Sequence, residues 1–533
     1  MSTSNYLTYL VSPINSNSVS VAVRSIEGGN RMIPVSEVSK LKGTVVTHDV
    51  WYLIDVLKEL DLDIPNKFID INLLERFLAG QPESEAQTKN GLCWDTYNIL
   101  YTRYSNAENL KLLRRQFWSN EATFPDNKVQ PYFFEFLEAM DEYYTDRLGS
   151  MSVEEKSTVF DVEMPVMNVF SQMQSRGISV DDEIIAQNLD VLDSEYYKIL
   201  SILKDKYAFK GGPFDSSYIH EYVKKNNIDV DQYYSGGTVD QIIEYTKDYD
   251  DRMSFLHELR RLRSTKNALL KLSFCDRSIA SIIFNTFGTV TGRIMAVEPP
   301  VQFIKKGYRG VIIPADGYDC LYIDYSNYEP SILAFLSQDE KLMNAVNDGG
   351  FYEFIAEDIL SGYCCRDVAK TLFIQYSYGA SIKTLSKYLH KKAHVDVMNS
   401  EILAKKMVDY FVGVNIWKES VIQKALVGNK AVTSDFIIRK FTNKSIKKDK
   451  AKRQIVNHHV QSAGSVHLKK LILLLNDKYP EVDILIPMFD ALLLQVPRAE
   501  GDCRQKLEGL FISSFEESFN GVKAEVTISN FDD

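Results

Sequence analysis

Short apolar runs open the chain. Tyr6–Val11, Ser18–Val23 and Thr44–Thr47 read as strands, and Val50–Leu60, apolar at helical spacing, reads as a helix. Residues 1–150 are therefore expected to form a compact α/β unit. From about Glu163 the period lengthens: Ile184–Leu203 and Met253–Leu272 predict long amphipathic helices, with Gly-Gly breaks at 211–212 and 236–237. Gly and Pro punctuate 288–314, which leads into a strand-like run at Cys320–Asp324. Helical patterns fill roughly 330–430, and alternating strand-like segments such as Ile484–Val496 follow. There is no internal repeat and no low-complexity tract.

A chain of 533 residues implies two to four structural units, and 45% hydrophobic with 25% charged residues is ordinary for a soluble globular protein. No apolar run reaches the roughly 18 residues of a membrane span. The N-terminal MSTSNYLTYL lacks the basic-then-apolar order of a secretory signal. The six cysteines form no CxxC pair, which argues against a zinc site or a disulfide framework and for reduced thiols in a cytoplasm. A net charge of −11 argues against a polyanionic partner, but the cations are clustered. Arg439–Arg453 holds eight Lys or Arg in fifteen residues with only Asp449 opposing; Arg260, Arg261, Arg263, Lys266 and Lys271 form a second cluster, and Lys305, Lys306 and Arg309 a third. Each alone reads as a solvated face, whereas three flanking acidic motifs suggest a groove for a phosphate backbone.

The acidic motifs carry the chemistry. In Leu321-Tyr-Ile-Asp324 an apolar strand runs into an aspartate and then a helix-like segment. In Ile484–Val496, Asp490 stands inside an otherwise apolar strand or hairpin. An unpaired carboxylate there is costly to bury and needs a cation or another partner. Taken singly each aspartate also reads as a turn or cap residue; taken together they fit a divalent-metal site shared by two strands better. Arg366, Lys370, Ile374 and Tyr378, with Gly379 after them, recur every four residues and so share a helix face. Two cations one turn apart repel, and a polyphosphate facing them reverses that penalty; a solvated basic face is the alternative.

With these motifs in order, the sequence resembles the family A DNA polymerases over about 160–533. The likeness starts at Glu163-Met-Pro165 and Arg176-Gly-Ile-Ser-Val180 and continues through Thr291-Gly-Arg293 with Gln302 and Arg309. Asp324-Tyr-Ser-Asn-Tyr-Glu329, Arg366-x₃-Lys370-x₇-Tyr378-Gly379, Arg453-x₃-Asn457-x₃-Gln461 and Phe489-Asp490 complete it. The resemblance implies an α+β right-hand polymerase fold behind an N-terminal ribonuclease-H-like α/β domain of exonuclease type. The expected division is 1–150 for that domain and 151–533 for the polymerase, with thumb 166–285, fingers 340–430, and palm 286–339 plus 431–533.

The resemblance also implies roles. Asp324, Asp490 and the carbonyl of Tyr325 would hold two Mg²⁺ ions, with Mn²⁺ able to substitute. Arg366, Lys370, Ile374, Tyr378, Glu329 and Tyr352 would bind the incoming dNTP, Glu329 by excluding a 2′-hydroxyl. Arg293, Gln302, Arg309, Arg453, Asn457 and Gln461 would contact primer–template DNA. Three departures stand out: Ile374 where the family has an aromatic residue, Phe489 and Ala491 beside Asp490 where it has His and Glu, and Tyr352 near the position of a phosphate-binding His.

An exonuclease needs clustered carboxylates starting on its first strand, yet no aspartate precedes Asp49. Asp49, Asp70 and Asp141 are expected to be surface or cap residues, and the domain inactive. The chain is too short for an additional 5′-nuclease, and its compactness resembles bacteriophage replicative enzymes acting as monomers in a host cytoplasm. Two rivals remain at this point: a single-subunit RNA polymerase, which Glu329 argues against, and a catalytically dead polymerase-like scaffold of the replisome, which the retained aspartates argue against.

Overall fold

The computed structural model describes residues 7–11, 20–25, 29–65, 67–83, 87–88, 91–92, 94–96, 99–100, 130–210, 216–225, 239–247, 250–274, 278–443, 445–446, 448–498 and 502–531. Both Gly-Gly breaks, and residues 6, 18 and 19 of the expected strands, lie outside them.

The first unit is a five-stranded sheet of β1 (Leu7–Val11), β2 (Ser20–Ser25), β3 (Gly29–Pro34), β4 (Thr44–Thr47) and β5 (Phe68–Asp70), in the order β3-β2-β1-β4-β5. The first three strands are antiparallel neighbours, whereas β4 and β5 run parallel to β1. The parallel step needs a crossover, and α1 (Val50–Glu59) supplies it by burying Val50, Leu53, Ile54 and Leu57. Helix α2 (Ile71–Ala79) follows β5 directly and ends at Gly80, whose φ of +60° no L side chain adopts cheaply. A Cβ there would also lie 2.9 Å from the Ile438 carbonyl oxygen. Strands β3 and β5 were not evident in the sequence, because GNRMIP and FID are too short or too polar to show a period of two.

Helix α3 (Gln130–Ser150) covers the sheet, and its buried Phe133, Phe136, Met140 and Tyr143 share one core with the strands. That core does not stop at residue 150. It takes in Met164 and Met167 from α4 (Met164–Arg176), and also Phe287, Ile437 and Val466.

Two long helices, α5 (Asp182–Tyr207) and α6 (Asp251–Leu272), pack together as their apolar stripes demand, with Asp181 and Asp250 capping their N-termini. Their far ends close a separate small core of Leu203, Phe209, Ile219, Tyr222, Ile242, Ile243 and Leu259.

The largest core surrounds a four-stranded antiparallel sheet made from β6 (Tyr318–Tyr325), β9 (Asp483–Pro487), β10 (Ala491–Pro497) and β11 (Val526–Ser529), in the order β9-β10-β6-β11. Between β6 and β9 the chain is mostly helical, including α7 (Tyr328–Ser337), α8 (Arg366–Ser377) and α9 (Val412–Gly428). A small hairpin of β7 (Lys430–Val432) and β8 (Ile438–Lys440) leads to the 30-residue α10 (Asp449–Lys478), which is buried along most of its second half. Helix α11 (Cys503–Ser518) packs on α10 and on β11. Among the described residues no helix is long and apolar enough to cross a membrane.

Candidate active site

The four-stranded sheet brings the two aspartates together. Strand β6 ends on Asp324-Tyr325, and Asp324 pairs with Ala491 on one side and Thr527 on the other. Asp490 is one residue before Ala491, in the tight turn that joins β9 to β10, where Met488 N donates to Ala491 O at 2.7 Å. Phe489 makes that turn with a φ of +63°, an uncommon conformation for a bulky residue. Tyr325 N donates to Asp490 O at 3.2 Å, so both acids stand at one end of two hydrogen-bonded strands.

Their electrostatics are those of an unneutralised pair. Burial pushes the Asp324 carboxyl up to about 6, although Lys370, Arg309 and Lys306 pull it down. Burial, then the Asp324 charge, push Asp490 up to about 7, with Glu329 adding to the effect and Arg293 opposing it. Asp324 Oδ1 is buried without a hydrogen-bond partner. A hard divalent cation relieves all of this at once, because it takes carboxylate oxygens and favours the ionised forms. The residues present therefore fit Mg²⁺ or Mn²⁺. Among the described residues no group of three or more His, Cys, Asp or Glu side chains is gathered as metal ligands. A bound ion would complete its shell from backbone carbonyls, water and substrate oxygens.

Helix α8 presents its stripe to this end of the sheet, since Lys370 is among the charges acting on Asp324. Arg366 and Lys370 are exposed and lie 5.6 and 5.7 Å from the centre of the buried Tyr352 ring. Arg366 Nε is held by Glu353 Oε1 at 2.6 Å. Ile374 is half-buried one turn on, and Tyr378 caps the C-terminal end. There the Tyr378 hydroxyl donates to Glu329 Oε2, Arg293 Nη2 donates to Glu329 Oε1 at 2.6 Å, and Gln461 Nε2 reaches the Tyr378 oxygen at 3.4 Å. Arg293 also lies over the Phe489 ring at 5.3 Å. Two separate segments thus hold one carboxylate, Glu329, with Gln461 and Phe489 backing Tyr378 and Arg293 in turn, and Glu329 stands beside the metal-type pair.

The expected DNA-contacting residues divide. Arg453 packs against Gly379, where a Cβ would come within 3.2 Å of its Cγ. Asn457 Oδ1 is buried and lacks a hydrogen-bond partner. Arg309 donates to Ile304 O at 3.2 Å and lies over Phe531 at 4.9 Å. Gln302, expected to contact the duplex, is engaged by the protein itself. It is buried, its Nε2 donates to Ile294 O and Pro487 O at 3.1 and 2.6 Å, and its Oε1 accepts from Ala296 N at 2.9 Å. Both N–H groups of its amide and one lone pair of its oxygen tie the 294–302 segment to β9. Several expected basic residues are already neutralised: Lys266 by Asp193, Lys271 by Glu298 and Lys305 by Glu258. Lys444 and Lys447 lie outside the described residues.

In the first unit, Asp49 Oδ1 accepts from Tyr52 N at 3.1 Å and caps α1. Asp70 accepts from Asn72 N, Leu73 N and Val50 N at 2.7, 3.2 and 3.1 Å. Asp141 pairs with Arg24 at 3.0 Å. Asp70 is a cap but buried, so it is not a surface residue. Burial, then the Asp49 charge, push Asp70 up to about 7, and burial raises Asp49 as well. A carboxyl raised in the folded state binds protons that the unfolded chain has released, so this pair stabilises below about pH 4 and loses that contribution as pH rises through 7. Asp49→Asn keeps the cap acceptor and removes the like charge. Melting curves are expected to show a higher Tm for this variant at pH 8 and no difference near pH 4.

The sequence model for DNA polymerase family A matches residues 224–528, more than half of the chain. This chain belongs to DNA polymerase family A. Its similarity to DNA polymerase I of Bacillus caldotenax is 22% identity over 387 residues, covering 65% of this chain and 42% of that protein. Similarity to DNA polymerase I of Mycobacterium tuberculosis (strain ATCC 25618 / H37Rv) is 25% over 394 residues, covering 66% and 41%. The match thus spans well under half the length of these relatives. The POL domain of Pol1 from M. smegmatis, solved in complex with DNA primer–template and dNTP, superposes with a TM-score of 0.72 at 18% identity, covering 99% of this family A chain and 95% of that one. The fold is the α+β right-hand polymerase fold.

Proposed function

We propose that this chain is a DNA-directed DNA polymerase that extends a primer 3′ end with dNTPs. The observation that carries the reading is the half-buried pair Asp324 and Asp490, one with an orphaned buried oxygen, beside the cationic stripe of α8. Two divalent ions held by Asp324, Asp490 and the Tyr325 carbonyl would supply activation of the primer 3′-hydroxyl and neutralisation of the triphosphate. The 3′-oxygen attacks the α-phosphorus, a phosphodiester bond forms, the α–β phosphoanhydride breaks, and pyrophosphate leaves. Arg366 and Lys370 bind the triphosphate, and Tyr352 supplies a hydroxyl donor beneath them. Positioning and charge stabilisation provide most of the rate in such transfers.

Glu329, braced by Arg293 and Tyr378, stands against the sugar and excludes a 2′-hydroxyl. Arg453, Asn457 and Gln461 on α10 face the templating base and primer end. The thumb corresponds to 166–285, the fingers to 340–430 and the palm to 286–339 with 431–533. The first unit is a degenerate exonuclease domain, because its acids serve as helix caps and an ion pair. Extension of a primed template by the purified chain, compared with dNTPs and NTPs and with a mismatched primer, tests the reading. Extension with dNTPs and no removal of the mismatch supports it. No extension at any Mg²⁺ or Mn²⁺ concentration overturns it in favour of a non-catalytic DNA-binding role.

Ile374 offers an aliphatic edge where an aromatic ring would stack on the sugar and base, so Ile374→Tyr is expected to change the ratio of dideoxy- to deoxynucleotide incorporation. Unchanged termination patterns in a chain-termination assay would refute a role for this side chain in nucleotide choice.

A further inference from the structure

Tyr328 precedes Glu329 at the start of α7 and is buried. Its hydroxyl lies 2.7 Å from Gly464 O and 2.8 Å from His467 Nδ1, both on α10. A phenol has one proton, so donation to the carbonyl leaves its oxygen to accept from the imidazole N–H, which assigns the His467 proton to Nδ1. His467 Nε2 is correspondingly buried with no partner. The Tyr328 ring stacks on Tyr325, with centroids 5.1 Å apart and planes at 26°, and Tyr325 meets His467 edge-on at 5.4 Å. Gly464 is required by this contact, since a Cβ would fall 2.8 Å from Tyr328 Cε1 and 3.1 Å from Ile332 Cδ1.

Between Tyr325 and Tyr328 the chain turns through Asn327 at a φ of +53°, and Asn327 makes no side-chain cap for α7. The hydroxyl of Tyr328 thus ties the first turn of α7 to α10 by hydrogen bonds, beside the apolar packing of Pro330 and Ile332. Glu329 is held at its carboxylate by Arg293 and Tyr378, and at its backbone by the neighbour's bond to α10. We propose that Tyr328, clamped by Gly464 and His467, is a positioning residue that sets how far Glu329 projects toward the nucleotide sugar. The inference rests on the polymerase reading. Without the clamp, the first turn of α7 shifts by the few tenths of an ångström that let Glu329 yield to a 2′-hydroxyl.

Single-nucleotide insertion by the full chain, with a dNTP and with the matching rNTP, tests this. In Tyr328→Phe the ratio of kcat/KM for dNTP over rNTP is expected to fall about five- to tenfold, the equilibrium worth of one neutral hydrogen bond, chiefly through a lower KM for the rNTP. Gly464→Ala, which displaces the ring from the other side, is expected to move the ratio the same way. His467→Leu lowers it, and His467→Asn, which keeps a donor near the Nδ1 position, retains it. The His467 pair carries the test if the first two variants lose a cooperative melt. A role confined to stability lowers both substrates equally and leaves the ratio untouched, which overturns the inference while extension itself stands. Absence of extension by the wild type overturns the polymerase reading and this inference with it.

Discussion

Asp490→Asn is expected to abolish primer extension and, in metal-free buffer, to make the protein more stable. Loss of a carboxylate proposed to hold the metal pair would remove transition-state charge stabilisation, and a fall of at least about a thousandfold corresponds to roughly 4 kcal/mol of barrier. The stability gain follows from the same burial. A carboxyl pushed from 3.8 to about 7 is ionised at pH 8 only at the expense of a few kcal/mol of folding free energy, since each pKa unit is worth about 1.4 kcal/mol. The folded state retains a proton that the unfolded chain gives up near pH 4, so the stabilising contribution is complete below that pH and gone once pH has risen past 7. Asparagine never ionises, so the variant should melt about 2 °C or more above wild type at pH 8 and level with it near pH 4. Mg²⁺ should raise the wild-type Tm by mass action and leave the variant nearly unmoved. Asp324→Asn should behave similarly with a smaller pH effect, because Asp324 is raised only to about 6. Equal melting temperatures for wild type and Asp490→Asn at both pH values, with Mg²⁺ acting on both alike, would remove the metal site from the proposal.

What the sequence made legible was what strand and helix periodicity can carry. An apolar run ending in Asp324, an apolar hairpin interrupted by Asp490, and cations every fourth residue on α8 are local patterns, and each lies in its expected element. The contacts on Glu329 were readable only in part, since Tyr378 was singled out by its spacing on α8 whereas Arg293 and Gln461 were singled out through resemblance. The rest depends on distance along the chain. Gln302 is polar and sits in a Gly- and Pro-rich stretch, so nothing local reveals that three backbone groups absorb its amide. Lys266, Lys271 and Lys305 look like free cations until their acidic partners are brought in from elsewhere in the chain. Asp70 reads as a surface or cap residue, and only the parallel pairing of β4 with β5 brings it, buried, against the start of α1. Tyr328 and His467 are separated by 139 residues, and no single-sequence pattern links a tyrosine to a histidine across that span.

Lys469→Met is expected to be the most destabilising single substitution away from the active site. Lys469 Nζ lies 2.8 and 2.6 Å from the two oxygens of Glu163, and both side chains are fully buried. Burial pushes the Glu163 carboxyl up and the Lys469 ammonium down, while each partner pulls the other back toward its charged form. Removing the ammonium leaves a carboxylate in the interior with no counter-ion, a loss typically of about 3–5 kcal/mol and far too deep for added salt to offset. The pair joins α10 to the residue preceding α4, and Phe287 lies 5.0 Å from the ammonium, so it ties the first unit's core to the helix that carries Arg453, Asn457 and Gln461. The single variant should therefore unfold at markedly lower urea and lose template binding together with stability. Glu163→Gln combined with Lys469→Met removes both charges and should recover most of the loss, because an uncharged pair of similar volume has little to desolvate. A double-mutant cycle in urea, giving a coupling of well over 1 kcal/mol, checks the argument. If Lys469→Met alone melts like wild type, water or another group reaches Glu163, and the joint between the two cores is apolar packing and nothing more.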